Sequence, residues 1–168
     1  MDYKKYIREV VDFPIKGINF KDISTLLQNP VVFSKTIDDL SEKIGDIDVI
    51  VGLDARGFVF GGVLAYKLNK PFVMVRKSGK LPYKTISVDY KLEYGKNTFE
   101  LNIDALKPGN KVAIIDDLLA TGGTAKAACE LVEKLGGIVE SINFIIDLTF
   151  LNGKDKLKNY KINSLVEY

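Results

Sequence analysis

At 168 residues with 46% hydrophobic and 27% charged residues, the chain has the size and balance of one ordinary globular domain. Its net charge of +2 gives no basic surface for nucleic acid, and one cysteine excludes an internal disulfide. Histidine is absent. Ser-His-Asp and Cys-His catalysis, His-ligated zinc and imidazole acid–base chemistry are therefore excluded, so chemistry falls to carboxylates, lysines, tyrosines, backbone dipoles or a borrowed metal.

The elements alternate along the chain. Residues 3–11 read as a short amphipathic helix ending before Phe13-Pro14. Asn29-Pro30 opens a helix to about Ile44, with Asn as cap and Pro at the first helical position. Asp48 to Leu53 is a buried strand, 58–68 a helix and Phe72 to Val75 a second buried strand. From 77 to 102 the pattern breaks into polar, Tyr- and Lys-rich segments, expected to form a lid or hairpin excursion. Lys111 to Ile115 is a third strand, followed by a glycine-rich turn and a helix over about 123–135. Cys129 shares the apolar face of that helix with Ala125 and Val132, as a buried thiol would. A fourth strand lies within Ile138 to Leu148. Buried strands separated by helices predict an α/β fold in a single domain, a doubly wound, mainly parallel sheet with helices on both faces. Ligands of such sheets bind beyond the carboxyl ends of the strands. No apolar run is long enough to span a membrane and no signal core follows Met1, so a cytoplasmic protein without membrane or nucleic-acid partners is expected.

The most informative stretch runs from Val112 to Thr124. An apolar strand enters Asp116-Asp117-Leu118-Leu119-Ala120, then a Thr121-Gly122-Gly123-Thr124 turn that opens a helix. Glycines let successive N–H groups converge, the helix start adds partial positive charge, and the two threonines add hydroxyl donors. That turn is a phosphate cradle. The paired carboxylates would repel phosphate but can accept hydrogen bonds from vicinal sugar hydroxyls. Together they suit a ribose bearing a 5-phosphate, with both aspartates expected to be exposed at a strand end. The plainer reading is a tight strand-to-helix turn with solvated acids. Neither Gly-x-Gly-x-x-Gly after a strand nor Gly-Lys-Ser/Thr occurs in the chain.

This stretch resembles the 5-phosphoribosyl-1-diphosphate (PRPP) signature of the type I phosphoribosyltransferases. Three further segments resemble the adenine-specific family, so that the similarity covers nearly the whole chain. Phe13 to Ser24 is similar to that family's N-terminal hood (residues 1–28 here). The resemblance implies that Phe20 lies against the purine, that the Lys21 backbone bonds its polar edge, and that Asn19, Leu118 and Ile146 complete the base site. Gly52 to Phe58 resembles the diphosphate loop, implying roles for Asp54, Ala55 and Arg56 and a cis peptide between Ala55 and Arg56. Arg76-Lys77-Ser78-Gly79-Lys80-Leu81-Pro82 resembles a basic stretch in which Arg76, Lys77 and Lys80 meet diphosphate, Arg76 across a dimer interface. Tyr90 to Gly95 matches a mobile lid, with Tyr90 and Glu93 covering the site and placing a proton near the purine.

The implied reaction is displacement at the anomeric carbon of PRPP by adenine, giving AMP and diphosphate without a covalent enzyme intermediate. The implied assembly is a homodimer. Magnesium is implied as a cofactor carried on diphosphate oxygens and waters, with no dedicated metal residue. A phosphoribosyltransferase for another base, such as a 6-oxopurine, is the nearer alternative. A non-catalytic PRPP sensor would need a DNA-binding module, for which the sequence offers no segment.

Overall fold

A computed structural model of the chain describes residues 1–92 and 95–168, with the backbone alone for 91, 92, 95 and 96. Tyr3–Tyr6 forms a single 3-10 turn, followed by β1 (Arg8–Val11). The helix expected over 3–11 is thus corrected: β1 pairs antiparallel with β2 (Asn19–Asp22), Val10 opposite Phe20, as a separate two-stranded ribbon. A short helix α1 (Ser24–Leu27) leads to α2 (Pro30–Ile44). Asn29 caps α2 as predicted, its side chain accepting from the N–H groups of Val31 and Val32, both at 3.2 Å.

The main sheet contains β3 (Val49–Leu53), β4 (Phe72–Lys77), β5 (Thr85–Leu92), β6 (Gly95–Asn102), β7 (Lys111–Leu119), β8 (Ile138–Asp147) and β9 (Ile162–Glu167). Their order is β5-β6-β4-β3-β7-β8-β9, and every pairing from β4 to β9 is parallel. Helices α2 and α3 (Gly57–Leu68) cover one face and α4 (Gly123–Lys134) the other. The expected doubly wound architecture is found. Central strands alternate between two cores: Val51 and Ile114 join the α4 side, Ile50 and Ile115 the α2–α3 side. Burial on both faces is why β3 reads as an unbroken apolar run.

Of the two forms expected for the excursion over 77–102, lid or hairpin, the hairpin is found: β5 and β6 pair antiparallel and extend the sheet from β4, with Arg76 opposite Glu100. Its strands looked irregular because only one side is buried: Val88 and Tyr90 point inward while Ser87 and Asp89 stay exposed. The chain also ends in β9, unforeseen, whose Asn163 donates to Asn143 Oδ1 at 2.7 Å inside a polar core network.

Candidate active site

Beyond the carboxyl ends of β3 and β7 lies a cleft of about 250 Å³ lined by Asp54, Ala55, Arg56, Asp116, Asp117, Leu118 and the turn Ala120–Thr124. The residues expected to hold ribose, phosphate and part of the diphosphate thus come together on one wall. Strand β7 runs on to Leu119 because β8 keeps pairing with it, Asp116 opposite Phe144 and Leu118 opposite Ile146. The two aspartates are therefore strand residues. The expectation that both are exposed is corrected: Asp116 is half-buried and Asp117 is 3% exposed.

Burial is the main cause that pushes the Asp116 carboxyl well above the usual carboxylate range, with the charge of Asp117 next. Asp117 is raised by burial too, but Arg56 works against the rise. Arg56 Nε lies 3.0 Å from Asp117 Oδ2. The Asp117 N–H donates to Asp116 Oδ1 at 2.9 Å. The charge of Asp117 disfavours ionisation of its neighbour Asp116, and the guanidinium of Arg56 favours ionisation of Asp117.

Arg56 is placed by the start of α3, whose first residue Gly57 packs against the β7 backbone at Ile115 and Asp116 where a Cβ would not fit. The cis peptide of this loop is Asp54–Ala55, one bond before the expected Ala55–Arg56; Arg56 already has helical backbone angles, φ −71° and ψ −25°. Its guanidinium stands 5.2 Å above the ring of Phe20, which connects the diphosphate loop with the hood. Phe20 is half-buried and, with Val10, Phe13 and Asp22, lines an apolar hollow of about 240 Å³.

The turn Thr121–Thr124 opens α4 through Gly122, whose φ of +77° is left-handed. No side chain caps α4, and Gly123 and Thr124 of its first turn line the cleft, where the free N–H groups of a helix start favour an anion. A Cβ on Gly122 would collide with the carbonyl oxygen of Gly153, and one on Gly153 with that of Ala120. The 3-10 turn Gly153–Leu157 therefore buttresses the cradle, a role no local sequence signal announced. Gly122→Ala is expected to raise the KM for PRPP sharply, by up to about a hundredfold for an ångström of misplacement. Steady-state kinetics check it; an unchanged KM would remove the turn from phosphate binding.

The remaining expected residues do not line this cleft, although Arg76 is tied to it through Asp54. Arg76 Nε is 3.2 Å from Asp54 Oδ2, and Nη1 donates to the Lys80 carbonyl at 3.3 Å. Lys77 and Lys80 are exposed beside it. Their loop is shaped by Glu100, unforeseen, which accepts from Ser78 Oγ at 2.6 Å and the Gly79 N–H at 3.0 Å. Tyr90 is no open lid residue: it is 7% exposed with its ring 4.8 Å from that of Phe99. Burial first, then Asp116 and Asp54, raise its phenol, which stays a donor at neutral pH. Glu93 lies outside the described residues. Ile146 is wholly buried next to Leu118 and does not reach the cleft, because its side chain belongs to the α2–α3 core. Asn19 is exposed, and the Lys21 side chain is buried against Glu9.

The phosphoribosyl transferase domain model matches residues 22–162. The adenine phosphoribosyltransferase of Acetivibrio thermocellus is 55% identical over the full length of both chains. The chain belongs to the adenine phosphoribosyltransferase family. Among solved structures, the family member of Thermoanaerobacter pseudethanolicus superposes with a TM-score of 0.97 at 50% identity, covering 99% of this chain and 98% of that one. That of Saccharomyces cerevisiae, solved with an imino-altritol bisphosphate and adenine, gives 0.93 at 42% identity, covering 98% and 97%.

Proposed function

We propose that this member of the family transfers the 5-phosphoribosyl group of PRPP to adenine, releasing AMP and diphosphate in purine salvage. One observation carries the assignment of roles: the acidic pair, the uncapped α4 turn and Arg56 line one cleft, with Phe20 under the same guanidinium. In this reading Thr121–Thr124 hold the 5-phosphate and Asp116 and Asp117 accept from the ribose hydroxyls. Arg56, with Arg76, Lys77 and Lys80 nearby, meets the departing diphosphate. Phe20 stacks on the purine while the Lys21 backbone, Leu118 and Asn19, which adjoins Phe20 in β2, border it.

Loss of diphosphate leaves positive charge on the ribose, and the acidic pair lining the cleft stabilises it while N9 of adenine attacks the anomeric carbon. Glu93 is the group proposed to manage the proton at the purine; Tyr90, packed inward against Phe99, is not. A magnesium ion belongs to this reading as one carried on diphosphate oxygens and waters, since no group of three or more acidic side chains among the described residues is placed to hold a metal by itself. When bound with PRPP, that ion neutralises charge on the diphosphate. A homodimer belongs to the same reading, supported by the exposed apolar side chains Val59, Val63 and Tyr66 on α3. So does a cytoplasmic setting, supported by a buried free thiol at Cys129.

Incubation with PRPP and magnesium against adenine, hypoxanthine, guanine and uracil tests the assignment. AMP should form from adenine, and chelation of magnesium should abolish it. Turnover of hypoxanthine in place of adenine would keep the PRPP site and overturn the base.

A further inference from the structure

We propose that Lys21 is a positioning residue for the base, clamping the back of the β1–β2 ribbon to the last residue of the chain through Glu9 and the ring of Tyr168. The proposal rests on the reading that Phe20 carries the purine. Side chains alternate along β2. Phe20 and Asp22 face the apolar hollow with Val10 and Phe13, whereas Lys21 turns away from it. There its ammonium is 2.6 Å from Glu9 Oε1 and 4.0 Å from the centre of the Tyr168 ring, and the residue is only 6% exposed. The second Glu9 oxygen accepts from Asn19 Nδ2 at 2.9 Å. One carboxylate thus holds both residues that flank Phe20, and Lys21 with Asn19 in turn keeps the Glu9 carboxyl below its usual range.

Tyr168 is anchored independently of the ribbon. Its N–H donates to the Asp147 carbonyl at 2.9 Å, and its own carbonyl accepts from the Thr149 N–H at 3.0 Å and from Thr149 Oγ1 at 2.6 Å. Lys4 adds a second cation 4.9 Å from the same ring. The clamp therefore ends on the main sheet, beside the carboxyl end of β8. A ribbon of two short strands is marginal alone and needs such an anchor to keep a fixed tilt. A nearly buried ammonium is retained because a carboxylate and a ring face both stabilise it; water would otherwise be preferred. The Tyr168 hydroxyl has no hydrogen-bond partner among the described residues, so the ring is the part that matters.

The test is steady-state kinetics with both substrates varied. Lys21→Met and Tyr168→Leu should each raise the KM for adenine about tenfold, the scale of one desolvated cation–ring contact. In Tyr168→Leu, whose side chain lies outside the cleft and the base site, the KM for PRPP and kcat should stay within about twofold. Tyr168→Phe should behave as the parent, and Lys21→Arg should recover most of the loss. The double variant should be no worse than either single one, because both cut the same clamp. Phe20→Ala is the control for the base site. If it leaves the adenine KM unchanged, the stacking role fails. If it raises that KM while Lys21→Met and Tyr168→Leu do not, the clamp alone is wrong. Equal rises in both KM values, or Tyr168→Phe as damaging as Tyr168→Leu, would also overturn it. Tyr168→Leu against Tyr168→Phe decides the matter even if Lys21→Met does not fold.

Discussion

Arg56→Ala is expected to lower kcat by about ten- to a thousandfold, the range for losing one donor aimed at developing charge. The reasoning starts from position. Arg56 stands at the end of β3, against the first turn of α3, with Nε 3.0 Å from Asp117 and 40% of its side chain exposed. Asp117 takes one edge of the guanidinium, and the residue still lines the cleft. Diphosphate gains negative charge only as its bond to ribose breaks, so the arginine stabilises the transition state more than bound PRPP. A second effect runs the same way. Without Arg56 the Asp116–Asp117 pair loses its counter-charge, so its pKa values rise further and less of the pair is ionised at a given pH. The acid limb of kcat/KM for PRPP should accordingly move to higher pH in Arg56→Ala. Arg56→Lys keeps the charge but not the fork, and should recover part of the rate while restoring most of the acid limb. Steady-state profiles with diphosphate inhibition as control measure this. Because Arg56 also covers Phe20, some rise in adenine KM is compatible; unchanged kcat and unchanged diphosphate inhibition are not.

The acidic pair, the cradle and the Arg56 loop were legible because each follows a buried strand within a dozen residues. An apolar run, a polar pair and a glycine turn are local signals, and the topology of a parallel sheet then puts strand ends together. What sequence did not disclose are contacts made by register and packing. That Asp116 and Asp117 belong to β7 depends on β8 continuing beside them to Asp147. Gly153 under the cradle and Tyr168 under the hood come from the last twenty residues, whose polar composition hid β9. Tyr90 was misplaced for a related reason: a hairpin buried on one side alternates too weakly to separate inward tyrosines from outward ones. The Lys21 side chain could not be located at all without knowing that Glu9 lies opposite it.

Asp116→Asn is expected to make the protein more stable at neutral pH and much less active. Both carboxyls have folded-state pKa values raised above the unfolded value near 3.9. Between those two values the folded chain binds more protons than the unfolded one, so stability falls as pH rises through this window. Asparagine at 116 has no proton to lose. Its Oδ1 can still accept from the Asp117 N–H, as the carboxylate does at 2.9 Å. The variant should therefore lose the like-charge repulsion while keeping the turn geometry, and its stability should vary less with pH above about 4. Each kcal/mol gained would lift Tm by roughly 2–4 °C in a domain of this size. Asp117→Asn should not gain as much, because it removes the partner of Arg56 and leaves the more buried position filled by an amide with a lost ion pair. Catalysis runs the other way: a ribose hydroxyl deprived of a charged acceptor loses about 1.5–3 kcal/mol, or roughly 10- to 150-fold in kcat/KM. Thermal unfolding across pH, with kinetics on the same samples, reads both effects. An Asp116→Asn protein that is less stable than the parent at neutral pH, with a parallel pH profile, would mean that the two carboxyls do not destabilise each other in the folded chain. Full activity in that variant would mean that the sugar is held elsewhere.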